Sequence, residues 1–220
     1  MRIETILGYK FKDKSLLKQC LSHKSYANEH DIGDNERLEF LGDSVLSIVV
    51  SKHLFVKFTN YSEGKLSKIK NQIVSKKFVA NCVKKYKLDR FLKLGKGEIK
   101  TNGGNRDSNL CCLYEAIVGG IFIDSGIIQS EKFIKKTLLD IDFKRFKIDD
   151  FKSDLQIYFQ KNFGYPPKYK VIEEYGPAHN KTFKISVIDK DREITTAIGK
   201  TKKEAQNKAA KKILKKLSQL

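Results

Sequence analysis

The sequence of 220 residues lacks tryptophan and has only three prolines, one methionine and four cysteines. Cys20, Cys82, Cys111 and Cys112 contain no CxxC pair, and their spacing from the histidines is not that of a zinc site. Scattered cysteines in such low number argue against a disulfide framework. They favour reduced thiols and a cytoplasmic protein.

Long apolar runs are also missing. The longest, near residues 45–50 and 117–123, fall far short of the roughly 20 residues that span a membrane. The first residues contain no apolar core of a signal peptide, so we expect neither a leader nor a membrane anchor. Acidic residues are few beside basic ones, since 26 Asp and Glu face 44 Lys and Arg, for a formal net charge of +18. This excess predicts an acidic partner, with nucleic acid as the first candidate.

Residues 35–58 have the periodicity of a helix, with features that a purely structural helix would avoid. Apolar residues recur at spacings of three and four, and Glu36, Glu39 and Asp43 form a separate stripe. Like charges one turn apart cost a few tenths of a kcal/mol, and Gly42 costs roughly 1 kcal/mol relative to Ala. A helix that binds a divalent cation beside a closely packed backbone would use both features. The alternative is an ordinary solvated acidic face.

Two segments carry a family resemblance. The string E-R-L-E-F-L-G-D at residues 36–43 resembles the signature helix of the ribonuclease III family, endonucleases that cut double-stranded RNA. Residues 108–126 resemble a second helix of that family, with Glu115 on its E-A motif. The segments at 11–17 and 63–67 are similar to further family motifs. The resemblance implies an endonuclease domain of the bacterial type.

The resemblance also implies the roles of individual residues. Asp43 and Glu115 would be catalytic, and together with Glu39 they would bind Mg²⁺, for which Mn²⁺ can substitute. The enzyme would be a homodimer that processes rRNA and mRNA precursors. It would use no small-molecule cofactor and would not associate with a membrane. Phe40 would insert into a pocket of the partner subunit, whereas composition alone predicts an ordinary core aromatic. Glu63 either lines the RNA or metal region or simply lies in a turn.

One position departs from the family pattern. The family has an Asp three residues before Glu115, and this sequence has Cys112 there. Asp107 lies eight residues before Glu115, so it is not on the same helix face one turn away. Thiolate is a soft ligand that suits Mg²⁺ poorly. Two outcomes therefore stay open: Mg²⁺-dependent cleavage by the remaining carboxylates, or a catalytically weakened or inactive double-stranded-RNA-binding protein.

The intervening segments are predicted to be structural. Apolar periodicity predicts one helix over residues 66–86, and a further helix within 127–149 followed by a basic connector. His23 is expected to be structural rather than catalytic. The glycines at 95–97 are expected to form a turn rather than a phosphate-binding loop.

From residue 150 the pattern changes period. We predict a helix over 150–161 that is broken by Pro166, three strands, and a last helix that opens with the capping box at 201–204. The order α-β-β-β-α resembles a double-stranded-RNA-binding domain. The predicted fold is therefore an all-α endonuclease domain, residues 1–147, followed by an α+β RNA-binding domain, residues 150–220.

The resemblance places RNA contacts on Gln156, His179, Lys202 and Lys203. Such domains read duplex RNA by its shape, 2′-hydroxyls and phosphates, and a helix N-terminus favours phosphate. Ile157 stands where relatives often have Glu. The lysines farther along the last helix are expected mainly to keep its outer face solvated.

Overall fold

The computed structural model describes residues 3–143, 146, 150–177 and 180–217, and the chain divides into two compact units, residues 1–146 and 147–220. The described part of the first unit is helical, and the second unit combines two helices with a three-stranded sheet, as the sequence predicted. The helices of the first unit are α1 (Ile3–Leu7), α2 (Lys14–Cys20), α3 (Lys24–His30), α4 (Glu36–Lys57), α5 (Glu63–Ile73), α6 (Lys76–Lys85), α7 (Lys96–Lys100) and α8 (Asp107–Thr137). The second unit contains α9 (Phe151–Phe163), β1 (Lys168–Tyr175), β2 (Thr182–Asp189), β3 (Arg192–Gly199) and α10 (Lys202–Leu217).

Helices α4 and α8 form the centre of the first unit, and glycines allow their backbones to meet. A Cβ atom added to Gly42 would lie 1.8 Å from the carbonyl oxygen of Glu115, and one added to Gly119 would lie 2.1 Å from that of Leu38. No side chain fits in so little space, so the crossing requires glycine at both positions. The close backbone approach predicted from Gly42 is therefore observed, and it fixes the acidic stripe of α4 against α8.

Helix α8 contains the core of the unit and one backbone break. Gly126 adopts φ 75° and ψ −175°, a conformation outside the helical region, at the junction predicted between two helices. The helix ends at Thr137, where the hydroxyl of Tyr114 is 2.8 Å from the Thr137 Oγ1 atom. An 18-residue window of α8 is apolar enough to span a membrane by length and composition, but half of that window is buried inside the unit. A core helix is expected to have the same property.

Asp124, which lies on α8 within the segment at 108–126 that resembles the family, has a structural role. Its carboxylate accepts hydrogen bonds from the backbone N–H groups of Lys12 at 2.9 Å and Asp13 at 3.1 Å, and from the Tyr9 hydroxyl. The Asp13 side chain in turn accepts bonds from the first N–H groups of α2. These bonds anchor the loop before α2 to the central helix.

One predicted helix was wrong. The single helix expected over residues 66–86 is two helices, because Ser75 leaves the helical region and its hydroxyl accepts the N–H of Phe78 as the N-cap of α6. The helix predicted over 150–161 is observed as α9, but Gly164, rather than Pro166, ends it, because Gly164 takes the left-handed conformation (φ 82°) directly after Phe163.

The second unit has its own core and a regular sheet. The three strands are antiparallel in the order β1-β2-β3, and Val187 pairs with Tyr169 on one side and Thr195 on the other. The helices α9 and α10 cover one face and bury an apolar cluster, namely Leu155, Phe159, Val187, Ala197, Ala209, Ala210 and Ile213. The predicted capping box forms, since the N–H of Glu204 donates to Thr201 Oγ1 at 3.1 Å and the Glu204 carboxylate accepts the N–H of Lys200.

Candidate active site

The crossing of α4 and α8 creates an acidic cavity of about 570 Å³ on the first unit. Glu39 and Asp43 lie one turn apart on α4, and Glu115 faces them from α8. The remaining residues that line the cavity are Glu36, Phe40, Ser44, Val74, Lys76, Cys111 and Cys112. All the acidic residues predicted to act in catalysis or metal binding thus share one cavity.

Glu39, Cys112 and Glu115 form the tightest part of this cavity. One ligand atom from each of the three lies within 4.8 Å of the other two. The Cys112 thiol donates a hydrogen bond to Glu39 Oε1 at 3.0 Å, so it directly bridges α8 to α4. Asp43 lines the cavity as an exposed side chain outside this group of three.

The cavity raises the pKa values of Glu115 and Cys112. Burial raises the pKa of Glu115 to about 7, and the negative charges of Asp43 and Glu39 add to that effect. A hydrogen bond donated by the Cys111 thiol at 3.3 Å and the positive charge of Lys76 act in the opposite direction. Burial, with the hydrogen bond to Glu39, raises the pKa of Cys112 to about 12. At neutral pH, Glu115 without a cation is therefore partly protonated and Cys112 is a neutral thiol.

This donor set fits a divalent cation. Carboxylates from two helices supply the oxygen ligands that Mg²⁺ prefers, and a cation would relieve the repulsion that raises the pKa of Glu115. The neutral thiol of Cys112 adds no hard ligand. The carboxylates of Glu39, Asp43 and Glu115 are among those that would hold such a cation in this cavity.

The predicted RNA-contacting residues lie on the two helices of the second unit. Gln156 is exposed on α9, and Lys202 and Lys203 are exposed in the first turn of α10. Lys202 forms a salt bridge with Glu174 of β1 at 2.8 Å, while Lys203 forms none with any residue that the structure describes. His179 lies outside the described residues.

The comparisons with known proteins cover both units. A family model described as ribonuclease-III-like matches residues 13–141, and the double-stranded RNA binding motif matches residues 151–217. The chain is 39% identical over 222 residues to ribonuclease 3 of Streptococcus uberis, covering 99% of this chain and 96% of that protein. It is 40% identical over 217 residues to ribonuclease 3 of Campylobacter fetus, covering 97% and 96%.

The chain belongs to the ribonuclease III family. Two solved structures of the nuclease domain of ribonuclease III from Campylobacter jejuni are similar to this chain, with TM-scores of 0.58. They are 37% and 38% identical in sequence, and they cover 62% and 64% of this chain and 96% of theirs. The resemblance inferred from the sequence is confirmed.

Lys76 and Cys111 are cavity residues of this ribonuclease III chain that sequence reasoning missed. Lys76 is the first residue of α6, and its charge lowers the pKa of Glu115. Its position was hidden because one continuous helix was predicted through residues 66–86. The capping residue Ser75 directly before it is the signal that could have revealed the new helix.

Three other residues of the ribonuclease III domain have defined environments. The His23 ring accepts the N–H of Ser25 as the N-cap of α3, a structural contact consistent with the prediction. Glu63 begins α5 and accepts a hydrogen bond from the Ser67 hydroxyl at 2.6 Å, outside the acidic cavity. Phe40 is 79% exposed, so within this chain it is not a core aromatic.

Proposed function

We propose that this ribonuclease III-type endoribonuclease cleaves double-stranded RNA at the acidic cavity between α4 and α8, with Mg²⁺ held by Glu39, Asp43 and Glu115. The observation that carries this assignment is the convergence of carboxylates from two helices, with ligand atoms of Glu39 and Glu115 in one group less than 4.8 Å across. The alternative of an inactive RNA binder gains no support, because the carboxylates remain clustered although Cys112 replaces the family Asp.

The side chains of the cavity have separable tasks. A divalent cation, when bound, supplies charge stabilisation for a phosphodiester displacement and lowers the pKa of its water. Asp43 on α4 and Glu115 on α8 contribute catalytic carboxylates from opposite helices of the cavity, and Glu39 is the third carboxylate that would bind the cation. Lys76 places a positive charge at the cavity wall, where it can attract a scissile phosphate and partly offset the carboxylates. The expected products carry 5′-phosphate and 3′-hydroxyl ends.

Cleavage of a long RNA duplex tests this proposal directly. We expect Asp43→Asn and Glu115→Gln to abolish Mg²⁺-dependent cutting while salt-sensitive RNA binding remains. Glu36→Gln is the matched control, because Glu36 lines the same cavity but is exposed and paired with Lys24 at 3.1 Å. Cutting by both active-site variants at the wild-type rate would rule out the assigned cavity.

A homodimer is supported by the exposed face of α4. Phe40, Ile48 and Phe55 are 79%, 62% and 72% exposed on the same helix. Ile48 and Phe55 also line an adjoining groove of about 620 Å³ that includes Tyr61 and Leu66. One Campylobacter jejuni structure is described as flexible in a region involved in dimer formation of its nuclease domain. We infer that Phe40 of one subunit inserts into the groove of a second copy.

Sedimentation analysis tests the dimer separately from cleavage. We expect Phe40→Ala to shift the chain toward monomer, whereas Ile99→Ala, which removes another side chain that is 62% exposed, leaves the mass unchanged. A wild-type chain that sediments as a monomer at micromolar concentration would contradict this inference.

The second unit supplies the binding of duplex RNA, with Gln156, His179, Lys202 and Lys203 as the proposed contacts. We infer a cytoplasmic enzyme that processes rRNA and mRNA precursors. The four cysteines, all free thiols, support a reducing compartment.

A further inference from the structure

The position that departs from the family pattern lies in the proposed metal site itself. The Cys112 sulfur belongs to the group of three ligand atoms within 4.8 Å of one another, together with the carboxylates of Glu39 and Glu115. It is 3.0 Å from Glu39 Oε1. The substitution therefore leaves a sulfur among oxygen ligands rather than a gap.

The spacing of this group also accommodates tetrahedral zinc. Tetrahedral zinc, with sulfur at about 2.3 Å and carboxylate oxygen at about 2.1 Å, separates neighbouring ligand atoms by about 3.5 Å. The observed separations, 3.0 Å for one pair and at most 4.8 Å for all three, bracket that value.

Cys112 is the thiol that is placed to bind, rather than its neighbour. Cys111 is buried, with 3% of its surface exposed, and its thiol donates to Glu115 from one turn earlier on α8. Cys112 is only partly buried and opens into the cavity. Sulfur ligands favour thiophilic cations such as Zn²⁺ and Cd²⁺ over Mg²⁺, whereas carboxylates accept both classes.

We propose that Cys112, Glu39 and Glu115 form a binding site for a thiophilic divalent cation, which occupies the catalytic cavity in competition with Mg²⁺. On binding, the Cys112 thiol releases its proton to solvent and its sulfur forms the bond to the metal. Zinc at low concentration then inhibits cleavage by displacing Mg²⁺. This inference rests on the proposed metal site, but its test does not require RNA cleavage.

Cobalt(II) is the probe for the sulfur ligand, because a bond between thiolate and Co²⁺ gives a charge-transfer absorption band in the near ultraviolet. We expect the full-length chain and Cys111→Ser to show this band, and Cys112→Ser and Cys112→Ala to lose it. Zn²⁺ affinity, measured by competition with a chromophoric chelator, should fall at least about tenfold in Cys112→Ser. Circular dichroism verifies that each variant is folded, and Cys112→Asp should bind Mg²⁺ more tightly than the wild type.

The possible results separate this inference from the proposed function. Calorimetric binding of Mg²⁺ without a cobalt–thiolate band would overturn the thiophilic site and leave the nuclease proposal intact. A band that persists in Cys112→Ser, or that requires Cys111, would also overturn the assignment. Failure of the cavity to bind any divalent cation would refute both.

Discussion

Glu115 is the residue at which the cavity alters ionisation most directly. Its pKa in the folded chain is about 7, against an ordinary value of 4.5, mainly because of burial. Between these values the folded state binds more protons than the unfolded state, so stability falls as the pH rises and the full loss is reached above pH 7. A bound cation should reverse this penalty, because it favours the ionised carboxylate.

Replacing Glu115 with Gln should therefore stabilise the chelator-treated protein at high pH. We expect Glu115→Gln to raise the free energy of unfolding at pH 8 by about 1–2 kcal/mol, after discounting for partial solvent screening, and to change it little at pH 4.5. Urea denaturation at both pH values measures the difference. Glu36→Gln, which changes an exposed residue of the same cavity, should show no such pH dependence. An equal effect of Glu115→Gln at both pH values would contradict the argument.

The sequence predicted the acidic residues of the cavity, because Glu39 and Asp43 lie in one motif and Glu115 in another. It did not predict Lys76, whose place at the cavity wall depends on where α6 begins and how it packs. The spacing of residues along the chain reveals which residues share one face of a helix. It does not reveal that a third helix, α6, packs beside that face. Cys112 was identified as a departure from the family. Its hydrogen bond to Glu39 could not be predicted, because it depends on how α4 and α8 cross.

At the scale of elements, the contact between α4 and α8 depends on glycine, which has no side chain, at the point where the two helices cross. A Cβ atom at Gly42 would lie 1.8 Å from the Glu115 carbonyl oxygen, and a backbone atom cannot rotate away as a side chain does. Gly42→Ala should therefore destabilise the chain by about 1–3 kcal/mol or more, and reduce cleavage by separating the carboxylates. Gly64→Ala, at an open position on α5, should instead stabilise by about 0.5–1 kcal/mol. Equal melting temperatures for the two variants would disprove this contrast.

Gly126 tests a different requirement within α8. Its φ of 75° is a conformation that L-residues rarely adopt, although a Cβ atom there would meet no other atom within 4 Å. Gly126→Ala should cost about 1–3 kcal/mol from backbone strain alone. Thermal unfolding should show this loss beside Gly97→Ala, which is equally open and has no such φ. No destabilisation by Gly126→Ala would show that α8 can continue through this residue.

Element types were more predictable than their ends. The 3.6-residue apolar period identified α4 and α10 because each buries one continuous stripe. The break before Lys76 and the end of α9 at Phe163 depend on single capping residues, Ser75 and Gly164, which periodicity does not weigh. Such ends are set by hydrogen bonds to individual backbone groups.

At the scale of the molecule, a formal charge of +18 must act beside a cluster of carboxylates. The positive field attracts duplex RNA over a Debye length of about 8 Å at physiological salt, whereas the acidic cavity repels the phosphate that it must process. A divalent cation resolves this conflict locally. Salt concentration should therefore separate the two effects, because salt screens the attraction of RNA by the many lysines more than it affects the chemistry at a few carboxylates.

Duplex-RNA binding by the full chain should weaken steeply and linearly in log–log form as salt increases. Lys203→Gln should reduce that slope by about one and weaken binding without regard to RNA sequence, since Lys203 is exposed at the N-terminus of α10. Lys216→Gln, at the far end of the same helix, removes the same charge and should leave the slope nearly unchanged. Filter binding in Ca²⁺ or chelator, without cleavage, measures both variants. Equal slopes for the two would mean that the helix contributes only diffuse charge, and that the first turn of α10 is not the phosphate contact.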